Sequence, residues 1–343
     1  MTEDTNPSIP SKRGSSALQM GPRKKASTSD PLVSHGRHFG RTVFALCNYP
    51  SLLTNGILRL EQMEDTPLEE FSAEERREHR VFEQLIESYP GLLERLKNGS
   101  EEEILHIGEL IGKGAVGARG DDTKTLKLLK SAVLDWIAPK GEAIRPPLHR
   151  NSKIDRGYNH ELTGSLLCPA GLDWNDPQTK DNLRSRELLV CGDQWPVFLY
   201  AHHTYDAEDP WCGLLRSRLL VCAYKHVFTS PSSVDREPKA TRSGNARLHG
   251  MNSITAASMA YIATQVRFAL SSSSVFSRTD MATDSETFYH SLLDLLEDAD
   301  ESNQVFPTSS AAKRPITTNS ALSKIRQKCL ALKQISGPNV VHS

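Results

Sequence analysis

Long apolar runs are missing from this 343-residue chain. The best candidate, residues 254–270, is interrupted by Gln265 and Arg267, so no membrane span is expected. Cysteine is sparse as well. Cys47, Cys168, Cys191, Cys212, Cys222 and Cys329 fall without CxxC spacing, which argues against a zinc cluster or a disulfide framework and for reduced thiols. The opening MTEDTNPSIPSKRG has no apolar core of the kind an export signal needs, so an intracellular protein, cytoplasmic or nuclear, is expected. Sustained apolar–polar alternation is also scarce, which leaves little room for sheet. No complete catalytic signature is present, and no cofactor is called for.

Charge of one sign is lacking overall, with a formal net charge of −1, but its distribution is uneven. Residues 1–30 hold five Lys/Arg against three acids and residues 302–343 hold six against none, leaving about −9 on the segment between. An acidic body with basic ends argues against a phosphate-tracking groove in the core, because nucleic-acid affinity comes from clustered positive charge. Nucleic acid, if bound, is expected on the tails. Residues 1–28, rich in Ser, Pro, Thr and Lys, read as a disordered basic tail. Within it, Lys12-Arg13 and Arg23-Lys24-Lys25 have the spacing of a two-part nuclear-import signal, or are simply solvated charges.

Between the tails, residues 29–300 read as one helical globular domain, marked by start and stop signals. Asp30-Pro31 supplies an N-cap and a first-turn proline for a helix to about Cys47, with Ser51 opening a shorter one through Leu60. Ser72 and Glu75 form a capping box ahead of Val81, Phe82, Leu85 and Ile86. Ser100 precedes a helix with Ile104, Ile107, Leu110 and Ile111 facing inward; after a glycine-rich break, Asp121 or Asp122 caps another carrying Leu126, Leu129, Val133 and Ile137. Residues 139–195 are dense in turn formers, with short strands fitting only near 162–167 and 197–200. Asp209-Pro210 opens an apolar, central helix through Phe228; Asn252 or Ser253 starts one with a small-residue face of Ala256, Ala260, Ala263 and Thr264. Thr283 to Glu286 reads as a capping box before Phe288, Leu292, Leu295 and Leu296. Residues 301–343 form a polar linker with a basic amphipathic helix after Ser320, its apolar stripe being Leu322, Ile325, Cys329 and Leu332. The expected fold is mainly α, an irregular helical bundle with a small loop-rich or two-stranded insert and disordered tails.

The segments DPLVSHGRHFGRTVFALCN, KGAVGARGDDTKTLK, DPWCGLLRS, AYKHVFTSPSSV, ATRSGNARLHGM and TDSETFYHSLLDLLED resemble a family of uncharacterised fungal proteins, abundant in mushrooms, over roughly Asp30 to Asp298. The resemblance implies a domain of unknown function and brings no catalytic residue with it. One departure is a stretch with paired tryptophans that the family carries before a closing Phe-Pro; here Glu301 to Gln304 runs directly into Val305-Phe306-Pro307.

Several constellations bear on chemistry. Gly112 to Gly117 matches GxGxxG, but an amphipathic helix precedes it where a nucleotide loop needs a strand, so it reads as an interhelical turn. His202, His203 and Asp206 have metal-ligating chemistry, yet adjacent residues on an extended chain point apart, and no metal site is expected. Cys212 would sit in the first turn of the helix opened by Asp209, where a thiolate is favoured, although its neighbours look like core. Ser230-Pro231 is either a phosphorylation site or a helix stop. The best site candidate is the loop with Arg242, Ser243, Asn245, Arg247 and His249, which offers guanidinium, hydroxyl, amide and imidazole donors before a helix N-terminus, suited to phosphate or carboxylate. The bland reading is that its arginines pair with the body's own acids. The leading functional expectation is a non-enzymatic interaction module whose basic C-terminal helix engages a protein partner. The alternatives are an enzyme or anion-binding protein built on the 242–249 loop, and nucleic-acid association through the tails.

Overall fold

Two helices lie so close that their backbones touch, and the rest of the bundle is arranged around them. In the computed structural model, residues 30–128, 144–149, 152–229, 244–279 and 284–304 are described, with the backbone alone at 127–128 and 298–304. Helix α1 (Pro31–Thr42) is capped as expected: the Asp30 carboxylate accepts from the Leu32 amide at 2.8 Å. It stops at Thr42 rather than Cys47, because Asn48, not Ser51, caps α2 (Tyr49–Gln62), and Pro50 sits within that helix's first turn. Helix α3 (Ala73–Ser88) begins with the predicted Ser72–Glu75 box; α4 (Leu92–Asn98) follows.

Helix α5 (Glu101–Leu128) overturns the expected glycine-rich break: it runs unbroken through Gly112 to Gly120. The glycines are interface, not hinge. A Cβ on Gly36 of α1 would lie 2.1 Å from the Ile111 carbonyl oxygen, one on Gly114 2.1 Å from that of Val33, and one on Gly40 2.7 Å from the Ala115 Cβ. These pairings fix α1 and α5 as parallel neighbours. Helical glycine costs about 0.5–1 kcal/mol relative to alanine, here offset by dispersion contacts between two backbones. Asp122, expected to cap a helix, is instead buried in mid-helix, where it takes a two-pronged bond from Arg41 of α1 at 2.7 and 2.8 Å.

The short strands expected near 162–167 and 197–200 are absent; among the described residues there are only the isolated bridges Pro169–Pro196 and Tyr200–Leu214. Residues 161–167 form α6 (Glu161–Leu167), capped by the His160 imidazole, and 197–199 form a 3₁₀ turn. Proline on both sides of the first bridge removes the amide donors that a ladder would need. The insert, completed by α7 (Pro177–Ser185), is therefore loop-rich rather than two-stranded.

The Asp209-Pro210 start is also corrected. Asp209 caps only a turn, because Gly213 and Leu215 adopt φ of 72° and 57°. Helix α8 (Arg218–Tyr224) begins at Ser217 and continues into a wider π-helical turn, Lys225–Thr229. Nor is it central, since Val221 is 44% exposed. After α9 (Asn245–Leu248), the central helix proves to be α10 (Ala256–Leu270), buried on all sides from Ala260 to Leu270 and capped by Thr255 rather than Asn252 or Ser253. Its polar side chains find partners inside: Tyr261 donates to Asp122 at 2.6 Å, Thr123 to Gln265 at 2.7 Å, and Arg267 lies over the Phe288 ring at 4.7 Å. The insert closes the negative end of α10, where Lys153 donates to the Phe268 carbonyl and Arg156 to that of Ala269 at 2.8 Å.

Helix α11 (Ser285–Gln304) packs Phe288, Tyr289, Leu292 and Leu293 against α10 and the α1–α2 corner. The Glu286 carboxylate pairs with Arg278; Thr283 of the box expected at this helix's start lies outside the described residues. So do the basic tail with its import-like clusters, Leu129, Val133 and Ile137, Ser230-Pro231, and the helix expected after Ser320. No described helix is long and apolar enough to cross a membrane.

Backbone contact between α1 and α5 predicts that Gly36→Ala and Gly114→Ala each destabilise the fold by about 1–3 kcal/mol in urea titrations. Gly120, where an added Cβ would meet nothing within 4 Å, sets the contrast: Gly120→Ala should be neutral or add about 0.5–1 kcal/mol.

Candidate functional site

The sequence-derived anion loop is only partly assembled. Arg242 and Ser243 fall outside the described residues. The Asn245 side-chain amide is committed to the Val227 carbonyl at 2.6 Å, which fastens α9 to the end of α8. Arg247 is exposed, and the loop does not lead straight into a long helix, since the four-residue α9 and a separate cap intervene. His249 turns to α1, stacking on His38 with ring centroids 4.2 Å apart and planes inclined by 12°.

His38 escaped the sequence reading, and its environment is distinctive. Burial, followed by the neighbouring His249, His35 and Arg41, holds its imidazole down at about 4. Burial and then His249 lower His35; burial and then Arg41 lower His249. Folding therefore opposes protonation of this cluster.

His202 and His203 stand on a 3₁₀ turn with φ of 57° and 55°, and Asp206 accepts from the Glu208 amide at 2.9 Å. His203 lines a cavity of about 500 Å³ beside Trp174 and Tyr205, whereas His249 packs on His38. Among the described residues, no three His, Cys, Asp or Glu are arranged to hold a metal ion. Cys212 is exposed in a turn, not in a first helical turn, because α8 starts only at Arg218.

A larger feature, absent from the sequence-derived candidates, is a groove of about 870 Å³ between α2, the start of α3 and α11. Its floor is apolar, with Phe44, Leu46, Leu52, Leu58 and Val81, and Leu58 remains 50% exposed. Its walls are ionic and largely self-matched. Arg59 bonds Glu78 at 3.1 Å, and Asn55 bonds the other oxygen of that carboxylate at 3.0 Å. Arg77 reaches from α3 to Asp294 of α11, with Glu297 at 3.6 Å. Arg278 ties Glu286 to the Leu46 carbonyl, the latter at 3.2 Å. Three arginines face the five carboxylates of Glu74, Glu75, Glu78, Glu286 and Asp294, so acid is in excess.

Two ionisable groups in the groove are held neutral. Burial pushes the Cys47 thiol up to about 12, outweighing nearby Arg278, so it is protonated at neutral pH and a poor nucleophile. Burial and then Arg77 lower the His290 imidazole. Such an arrangement can seat an apolar face and attract positive charge. Two acidic stretches were its sequence signal: residues 61–75 hold seven acids and residues 285–304 six, neither containing a Lys or Arg.

Fold and groove together define an all-helical protein with an acid-rimmed surface cleft. The chain belongs to the family described as Family of unknown function (DUF6698), which matches residues 113–308. That span runs from mid-α5 to just beyond α11, so α11 lies within it and the α2–α3 wall of the groove outside it. No curated protein and no solved structure matches the chain.

The histidine cluster gives a pH prediction. The unfolded chain takes up the His38 proton near 6.5 and the folded chain only near 4, so stability from this site is complete above about pH 6.5 and is lost as pH falls towards 4. Urea midpoints should drop between pH 7 and pH 5, and His38→Asn should shrink that drop.

Proposed function

We propose that this protein is a non-enzymatic interaction module whose groove between α2, α3 and α11 receives a basic amphipathic segment. The observation that carries this reading is the pairing of an apolar floor containing half-exposed Leu58 with walls whose arginines are already matched by carboxylates, leaving negative charge in excess. Helix-in-groove recognition uses apolar anchors at helical spacing for affinity, while surplus rim charge selects the sign of the partner and speeds encounter. An intracellular setting, cytoplasmic or nuclear, a fungal source and import through the Lys12 to Lys25 clusters accompany the proposal.

A second reading is an anion or phosphate site, enzymatic or not, at Arg242, Ser243, Asn245, Arg247 and His249, supported by the exposure of Arg247. It has less behind it, because Asn245 is engaged with Val227 and His249 with His38. Nucleic-acid binding through the basic tails, with steep salt dependence, is a third.

The groove reading is tested by fluorescence anisotropy of the full chain with a labelled helical peptide bearing leucines at i, i+3, i+7 and i+10 among lysines, against a scrambled version. The ordered peptide should bind, with Leu58→Asp and Glu74→Lys each weakening it about tenfold or more. Equal binding of the scrambled peptide, or indifference to both substitutions, rules the reading out.

A further inference from the structure

The groove's α11 wall is followed in the sequence by a stretch that carries base and no acid. Helix α11 forms one wall and ends at Gln304; from there to residue 343 the sequence holds six Lys/Arg and no acid. Residues 321–335, ALSKIRQKCLALKQI, place Leu322, Ile325, Cys329 and Leu332 at 3-4-3 spacing among four of those cations, Lys324, Arg326, Lys328 and Lys333. Apolar residues repeating in that way share one helical face. Such a face, apolar and flanked by cations, matches in character the apolar floor of Phe44, Leu46, Leu58 and Val81 and in sign the rim of Glu74 and Asp294.

Chain length permits the meeting. Asp294 stands ten residues before Gln304, about 15 Å along the helix. Sixteen residues, 305–320, separate α11 from the basic segment and can span up to about 55 Å when extended. A segment tethered within that reach is present at an effective concentration in the millimolar range, so an affinity too weak to hold a separate peptide is enough to hold this one.

We propose that residues 321–335 dock in the groove between α2, α3 and α11 of the same chain, so that the module regulates itself and a partner's basic amphipathic segment must displace the chain's own. The inference rests on the groove being a docking site, as proposed above, and adds the identity of its resident occupant. Because attraction across the rim is electrostatic, the docked state should loosen as salt rises.

Two measurements on the full chain test it. In the first, Leu58→Cys places a thiol in the groove, and a short bismaleimide is used to capture the native Cys329; exposed Cys191 and Cys212, which do not line the groove, serve as internal controls. Peptide mapping should find Cys329 joined to residue 58 well above its links to Cys191 or Cys212. In the second, the lysine–leucine peptide is titrated into the wild-type chain and into an Ile325→Asp, Leu332→Asp double variant, whose substitutions lie outside the described residues. The variant should bind about tenfold more tightly, its groove having been vacated. Dispersed cross-links together with equal peptide affinity for both proteins overturn self-docking and leave the groove reading standing. Dispersed cross-links with no peptide binding by either protein overturn both.

Discussion

Close approach of α1 and α5 is the constraint on which the bundle depends. Gly36 and Gly40 meet Ile111 and Ala115, and Gly114 meets Val33, so two parallel backbones touch along their length. The same approach brings Arg41 within a two-pronged hydrogen bond of Asp122, and Asp122 in turn receives the Tyr261 hydroxyl from α10. One buried carboxylate thus joins three helices. Removing one member of such a group would strand a charge in the interior, a loss of about 3–5 kcal/mol, so the arrangement fixes the register of α1, α5 and α10 together.

Everything near the groove inherits that register. The α1–α2 corner carries Phe44, Leu46 and Cys47 to the groove floor, with the Tyr289 hydroxyl of α11 accepting from the Ala45 amide at 3.1 Å. Trp195 from the insert reaches Ser291 on α11 at 3.0 Å. Helix α11 is therefore held from both sides, leaving Glu286, His290 and Asp294 to face α3 across the cleft. The charged bridges between its walls, Arg77 to Asp294 and Arg278 to Glu286, span separate elements and set the groove's width as well as its sign.

Start signals were legible where a side chain serves its own backbone. Asp30, the Ser72–Glu75 pair and Ser100 stand where the sequence puts them, because capping is a bond over three residues or fewer. Signals failed where a distant neighbour decided the outcome. The glycines of α5 read as a break because isolated glycine weakens a helix; only the partner α1 converts that weakness into a contact surface. The i, i+4 spacing of Gly36 and Gly40 was a trace of it in the sequence. At Asp209-Pro210 the local cap was real, but positive φ at Gly213 and Leu215 ended the turn. The anion loop stands out in the sequence by its donors alone, and the structure spends two of them on Val227 and His38.

The sequence by itself determined a mainly helical body, the helix starts after Asp30, Ser72 and Ser100, the apolar stripes of α3 and α11, and the separation of acidic body from basic ends. Those properties follow from bonds and periodicities within a few residues. Tertiary structure alone decided that α5 is continuous, that α10 rather than α8 is the buried centre, that His38 and His249 meet, and that two acidic stretches more than 200 residues apart face each other across one groove. Each of those outcomes depends on which surfaces come into contact, and contact between distant segments is fixed by the packing of the whole chain.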